Sequence, residues 1–277
     1  MSDDESRVAG SNVAALVALL EALARRRARW HYLFAWLAAW CERRLAARLT
    51  RGWPGGYFLH KTGDLVFVPA PLDAAGRAAL LGPPRAHPAA IGTLRPGAVA
   101  IEIDAGLGGW TLPLARAVGA AGRVLATEPR PELAEALAKT LAANALRQAE
   151  IVRCAIGRED VPAGALRSLD SLVAEHRLLR LDLLRIAAAG DGRAAVEGAR
   201  DSLDRFRPVV VLRVGDEPES DRPAIHYHLR GTGYRMIGIL LEHGMAEAHW
   251  PQYVAREPPF EAGEAREVLL VPEEEPH

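Results

Sequence analysis

The stretch V-A-I-E-I-D-A-G-L-G-G-W-T, from Val99 to Thr111, decides the fold. A short apolar run, Val99 to Ile103, leads at once into a turn of small residues. The helical pattern Leu112, Leu114, Ala115, Val118 follows. A brief apolar run bounded by Gly reads as a buried strand of a parallel sheet. Gly106, Gly108 and Gly109 supply backbone that bends sharply and approaches a ligand closely. The next helix turns its N-terminal N–H groups toward that turn. The local order is therefore strand, Gly-rich turn, helix.

The segment G-R-V-L-A-T-E, residues 122–128, reads as the next strand and ends in Glu128. In nucleotide-binding α/β sheets an acid at the tip of the second strand accepts from ribose hydroxyls, roughly 20 residues after the Gly turn. The spacing here fits. A bare structural turn is the competing reading, because D-A-G-L-G-G lacks the first Gly of the dinucleotide fingerprint.

Downstream, α/β alternation is regular. Strands are expected at 98–104, 122–128, 149–154, about 179–187, 208–214, 234–241 and 266–271. Helices are expected near 109–119, 131–145, 165–175, 193–205 and 222–232, with Pro131 suited to a first helical turn. Alternating strands and helices argue a Rossmann-like, doubly wound, mostly parallel sheet, with ligands beyond the carboxyl ends of its strands.

Upstream, residues 1–50 read as a helical extension and 51–90 as a hairpin and Pro-rich linker, leaving 91–277 as the main domain. Trp30, Phe34, Leu37, Cys41 and Leu45 fall on one helical face, with Arg25, Arg26, Arg27 and Arg29 before it and Arg43, Arg44 and Arg48 after it. Packing on the main domain or on a second copy of the chain explains that face more simply than an interfacial membrane helix, and a homodimer through these helices is the expected partner arrangement. Tyr57–His60 and Leu65–Val68 flank K-T-G-D as a β-hairpin.

The bounds agree. The 277 residues are 49% apolar and 25% charged with a net charge of −1, which excludes a long disordered chain and gives no global pull toward nucleic acid. Cys41 and Cys154 lie far apart with no ligand spacing, so no disulfide framework or metal site is expected, as suits a reducing cytoplasm. The opening M-S-D-D-E-S lacks an apolar signal core, and no uncharged run reaches the roughly 18 residues of a membrane span.

The stretch 98–214 resembles the FkbM family of S-adenosylmethionine-dependent methyltransferases. I-E-I-D-A-G-L-G-G-W-T is similar to the family's V-D-V-G-A-N-I-G-x-x-T, A-T-E-P-R-P-E (126–132) to its A-F-E-P-N-P-E, and S-L-D-S-L (168–172) to its T-L-D-D-L. L-A-A-N-A-L (141–146), C-A-I-G (154–157), V-E-G-A-R-D-S-L-D-R-F-R-P-V-V-V-L (196–212) and G-Y-R (233–235) follow in family order. The resemblance implies a class I methyltransferase fold with S-adenosylmethionine as cofactor. Glu128 would hold the ribose hydroxyls. Asp104, Ala105, Gly106 and Gly108 would form the loop under the methionine part, and Glu102 would supply the acid ending the first strand. Cys154, Ala155 and Ile156 would lie near the adenine. The implied chemistry is O-methylation of a small-molecule or glycan hydroxyl, attacking the methyl in line.

Two departures stand out. The family's I-K-I-D-V-E-G-A-E is replaced by L-R-I-A-A-A-G-D-G (184–192), so Ala187 and Ala189 stand where the family has acids. Asp104 replaces the first Gly of the loop. Asp182, near the lost acids, and His226, beside Tyr227 and His228, are the candidate catalytic residues, His because it titrates near neutral pH. A catalytically inactive relative kept for binding or assembly is the alternative function. A nicotinamide-dependent dehydrogenase is disfavoured by the incomplete dinucleotide loop.

Overall fold

The computed structural model describes residues 52–60, 62–81, 86–161, 165–187, 191–215, 217–241, 244–258, 260 and 266–273. The expected helical extension over 1–50 and Ala189 lie outside them. The chain divides into two compact units, 1–84 and 85–277.

In the first unit, β1 (Gly56–Leu59) and β2 (Leu65–Val68) form the expected antiparallel hairpin, in register from Gly56↔Val68 to Leu59↔Leu65. Its turn is held by the Thr62 hydroxyl donating to Asp64 Oδ2 at 2.6 Å. Helix α1 (Ala74–Leu81) follows, where the sequence reading placed only linker.

The second unit starts six residues before the expected domain and includes the short helix α2 (Pro88–Ile91). Its elements are β3 (Val99–Ile103), α3 (Thr111–Val118), β4 (Arg123–Thr127), α4 (Pro131–Ala143), β5 (Ala149–Val152), β6 (Ala155–Ile156), β7 (Leu166–Arg167) and α5 (Leu169–Glu175). They continue with β8 (Leu183–Ile186), α6 (Gly192–Glu197), α7 (Arg200–Phe206), β9 (Val209–Val214), α8 (Arg222–Gly231), β10 (Tyr234–Leu241), β11 (Gly244–Ala246), α9 (Trp250–Ala255) and β12 (Arg266–Pro272). The eight-stranded sheet has the order β11-β10-β12-β9-β8-β3-β4-β5. β3, β4, β5, β8 and β9 are parallel, and β12 runs antiparallel between β9 and β10. This is the Rossmann-like, doubly wound, mostly parallel sheet that the sequence predicts.

Side-chain alternation sorts the sheet into two faces. Ile101, Ile103, Leu184, Ile186, Val210 and Leu212 join Leu172, Val196, Leu203 and Leu229 of the helices in one apolar core. On the other face, α3 packs on β3 and β4 and α4 on β5. The helix expected over 193–205 is broken in two at Gly198. A Cβ there would sit 2.0 Å from the Gly157 carbonyl oxygen, so glycine is what lets these two backbones meet.

The chain leaves β3 for β4 and β5 on one side, then returns to β8 on the other. β3 is thus the switch point, and the crevice beyond its carboxyl end is where such sheets bind ligands.

Candidate functional site

The loop after β3 is sewn to the end of β4. Ala105 N–H donates to the Thr127 carbonyl at 2.9 Å, and Gly106 N–H donates to Glu128 Oε2 at 2.7 Å. Asp104 takes φ 65°, in the left-handed region, at the position where the family resemblance places a glycine. Gly108 (φ 89°) is packed so tightly that a Cβ would lie 2.6 Å from Leu137 Cδ1. Gly106 (φ 58°) is different: nothing lies within 4 Å of its missing Cβ, so this part of the loop faces open space.

Two acids flank the loop. Glu128 follows the tip of β4 and is fully buried. Its Oε1 accepts from Arg130 N at 3.1 Å and Arg130 Nε at 2.8 Å, and its Oε2 accepts from Gly106 N and Arg130 Nη2. Glu102 lies one residue short of the tip of β3, 1% exposed. Its Oε2 accepts from the Thr111 hydroxyl at 2.5 Å and its Oε1 from Arg185 Nη1 at 2.9 Å. Arg185, paired with Glu102 in the β3–β8 register, also donates to Glu267 Oε1 on β12 and lies 5.0 Å from the centre of the Trp110 ring. One guanidinium is shared by two carboxylates. Burial of Glu102, opposed by Arg185 and Thr111, raises its pKa from 4.5 to about 7.

Other expected residues are distributed unevenly. Cys154 is buried in the apolar core, with its thiol pushed up by burial. Ala155 and Ile156 form β6 beyond the end of β5, and Ile156 lines a cleft of about 450 Å³ with Gly157, Arg158, Leu166 and Asp191. Ala187 is buried at the tip of β8, its N–H donating to the Ile103 carbonyl. That tip is apolar where the family resemblance implied an acid.

The candidate catalytic residues are not brought to the loop. Asp182 precedes β8 at the amino edge of the sheet. It accepts from Val99 N at 2.8 Å and from Arg180, so it holds the starts of β3 and β8 together, opposite the switch-point crevice. His226 sits on α8 with its ring 5.1 Å from that of Trp250. It lines a separate cleft of about 630 Å³ with Arg200, Tyr227, His228 and Arg230. Burial and the nearby Arg230 push its pKa down.

The sequence reading missed Arg185, Arg130 and Glu267. The signal for the first was present: a lone Arg in L-L-R-I opposite a lone Glu in A-I-E-I marks a cross-strand charge pair. Among the described residues no group of three or more His, Cys, Asp or Glu is placed to hold a metal, and no helix is long and apolar enough to cross a membrane.

No protein-family model and no curated protein sequence matches the chain. Solved methyltransferases are similar to it at low identity. A precorrin-6y C5,15-methyltransferase from Geobacter metallireducens is 13% identical with a TM-score of 0.42, covering 67% of this chain and 86% of its own. The methyltransferase FkbM from Methylobacillus flagellatus is 15% identical with a TM-score of 0.45, covering 72% and 52%. A SAM-dependent methyltransferase from Aquifex aeolicus is 12% identical with a TM-score of 0.40, covering 65% and 85%. Likenesses this distant leave substrate and cofactor to be argued from the residues.

Proposed function

We propose that this chain binds S-adenosylmethionine and transfers its methyl group, by O-methylation of a small-molecule or glycan hydroxyl. The observation that carries the reading is Glu128: a fully buried carboxylate just beyond the tip of β4, tied to the loop backbone at Gly106, beside the switch point. The residues fit the cofactor. Glu128 offers a carboxylate to a ribose diol, and the open space beside Gly106 admits a ligand against the backbone. Half-buried Asp104 offers a carboxylate on the loop itself.

Bound there, the cofactor supplies an electrophilic sulfonium methyl. The protein's contribution is alignment of the acceptor oxygen with that methyl, which by itself lowers the barrier substantially. Buried Glu102 holds Thr111 and Arg185 and so fixes the loop and the start of α3 from below. The apolar tip of β8 at Ala187 favours a second reading, a relative that binds the cofactor without catalysis, because no acid stands there to orient or deprotonate a hydroxyl.

Calorimetric titration with S-adenosylmethionine and S-adenosylhomocysteine tests the reading. Glu128→Gln keeps the shape but gives up a charged acceptor, so affinity should fall about 10- to 100-fold. Absence of binding, or equal binding by the variant, sinks it. Transfer of labelled methyl to hydroxyl acceptors then separates the enzyme from the binding module.

A further inference from the structure

We propose that Arg130 is an internal competitor for the ribose site: its guanidinium occupies the oxygens of Glu128 that a cofactor diol would take, and so sets the affinity of that site. The inference rests on the cofactor reading above. Four donors reach the Glu128 carboxylate, three of them from Arg130: its backbone N–H at 3.1 Å, Nε at 2.8 Å and Nη2 at 3.3 Å. The fourth, Gly106 N–H at 2.7 Å, belongs to the loop. Both oxygens are thus engaged, one from within the loop and both by the side chain of Arg130.

The two ends of this pair differ in accessibility. The Glu128 side chain is wholly buried, whereas that of Arg130 is 52% exposed. Arg130 therefore closes the carboxylate off from the solvent side. Its exposed half already stands in water, where a displaced guanidinium is well hydrated and regains side-chain entropy. Glu128 cannot follow, since Gly106 tethers it. A vicinal diol arriving from solvent must exchange with the guanidinium for the same lone pairs. The exchange replaces a charged donor by neutral ones, so it proceeds only when the rest of the ligand adds binding elsewhere. A ligand that offers a ribose alone should therefore bind weakly, and one that also engages the Gly loop more tightly, each bearing the same penalty from Arg130.

The position also explains why the competitor is local. Arg130 N is already within reach of Glu128 through a two-residue turn, and Pro131 starts α4 directly after it. The side chain therefore folds back over the acid from a fixed root.

The test is calorimetric titration of wild type, Arg130→Ala and Arg130→Gln with S-adenosylhomocysteine and with adenosine. The proposal expects both variants to bind S-adenosylhomocysteine roughly fivefold more tightly than wild type, with the same fold gain for adenosine, because a competitor that must leave for either ligand weakens both alike. Their thermal midpoints should stay close to wild type, because the substituted side chain is half exposed, and this separates a binding effect from a folding one. Equal or weaker binding by the variants overturns the competitor while leaving the cofactor reading intact. No binding by any of the three proteins overturns both.

Discussion

Two buried carboxylates at the ends of adjacent strands meet an arginine each, yet the two pairs are built differently. Glu102 meets Arg185, whose side chain is 8% exposed, caught between two acids on different strands and faced by Trp110. Glu128 meets Arg130, half in water and joined to it by a two-residue turn. The first arginine cannot leave without stranding charge in the sheet. The second has solvent beside it. A buried ion pair that spans three elements holds architecture, and one that reaches back from a surface turn leaves its acid recoverable by a ligand.

The sharpest way to break this contrast is Arg185→Met. It leaves Glu102 and Glu267 without their shared counter-charge, and removing one partner of a buried pair typically costs about 3–5 kcal/mol. Denaturant unfolding of the variant should show a loss of that size. A loss below about 1 kcal/mol would mean that Arg185 is no more structural than Arg130.

A smaller effect sharpens the same point through pH. Glu102 has its pKa raised, chiefly by burial, from 4.5 to about 7, so the folded state binds more protons than the unfolded chain between those values. Stability from this group is therefore full below the lower value and falls as pH rises through the upper one. Glu102→Gln removes the titration. Its thermal midpoint should decline less than wild type across that window, by a few degrees. Parallel curves for the two proteins would show that Arg185 fully neutralises the acid.

How much of this was legible in the chain follows the same division. The strands of the sheet emerge within a few residues of their expected bounds, because their apolar runs are strong and closed by Gly or Pro. The loop, Glu102 and Glu128 are local in sequence and lie where the motif reading puts them. The pair β6–β7 was not legible: two-residue strands exist only because a partner segment arrives, and Leu166–Arg167 falls inside a stretch that reads as helix. β11 and α9 are similarly short and depend on their packing. Asp182 misled because closeness in sequence to the lost acids does not say which edge of the sheet it occupies; it precedes β8, while Ala187 follows it. His226 misled because a helix leaving the binding edge carries its later residues away from it. The last strand runs to Pro272, which pairs with Tyr234, and Glu273 N–H donates to the Gly233 carbonyl.

A third acid gives the finest test. Asp104 stands half-buried on the loop between those two acids in sequence, on backbone at φ 65°. Asp tolerates this conformation better than most residues, but glycine takes it without strain. Asp104→Gly should therefore leave stability unchanged or raise it by up to about 1 kcal/mol. If the carboxylate faces the ammonium end of the cofactor, the same substitution weakens S-adenosylhomocysteine binding several-fold and leaves 5′-methylthioadenosine, which lacks that end, unaffected. Opposite signs in stability and affinity are the signature of a residue kept in a strained position for a ligand. A variant that is both less stable and equally avid would place Asp104 with Glu102, as part of the frame.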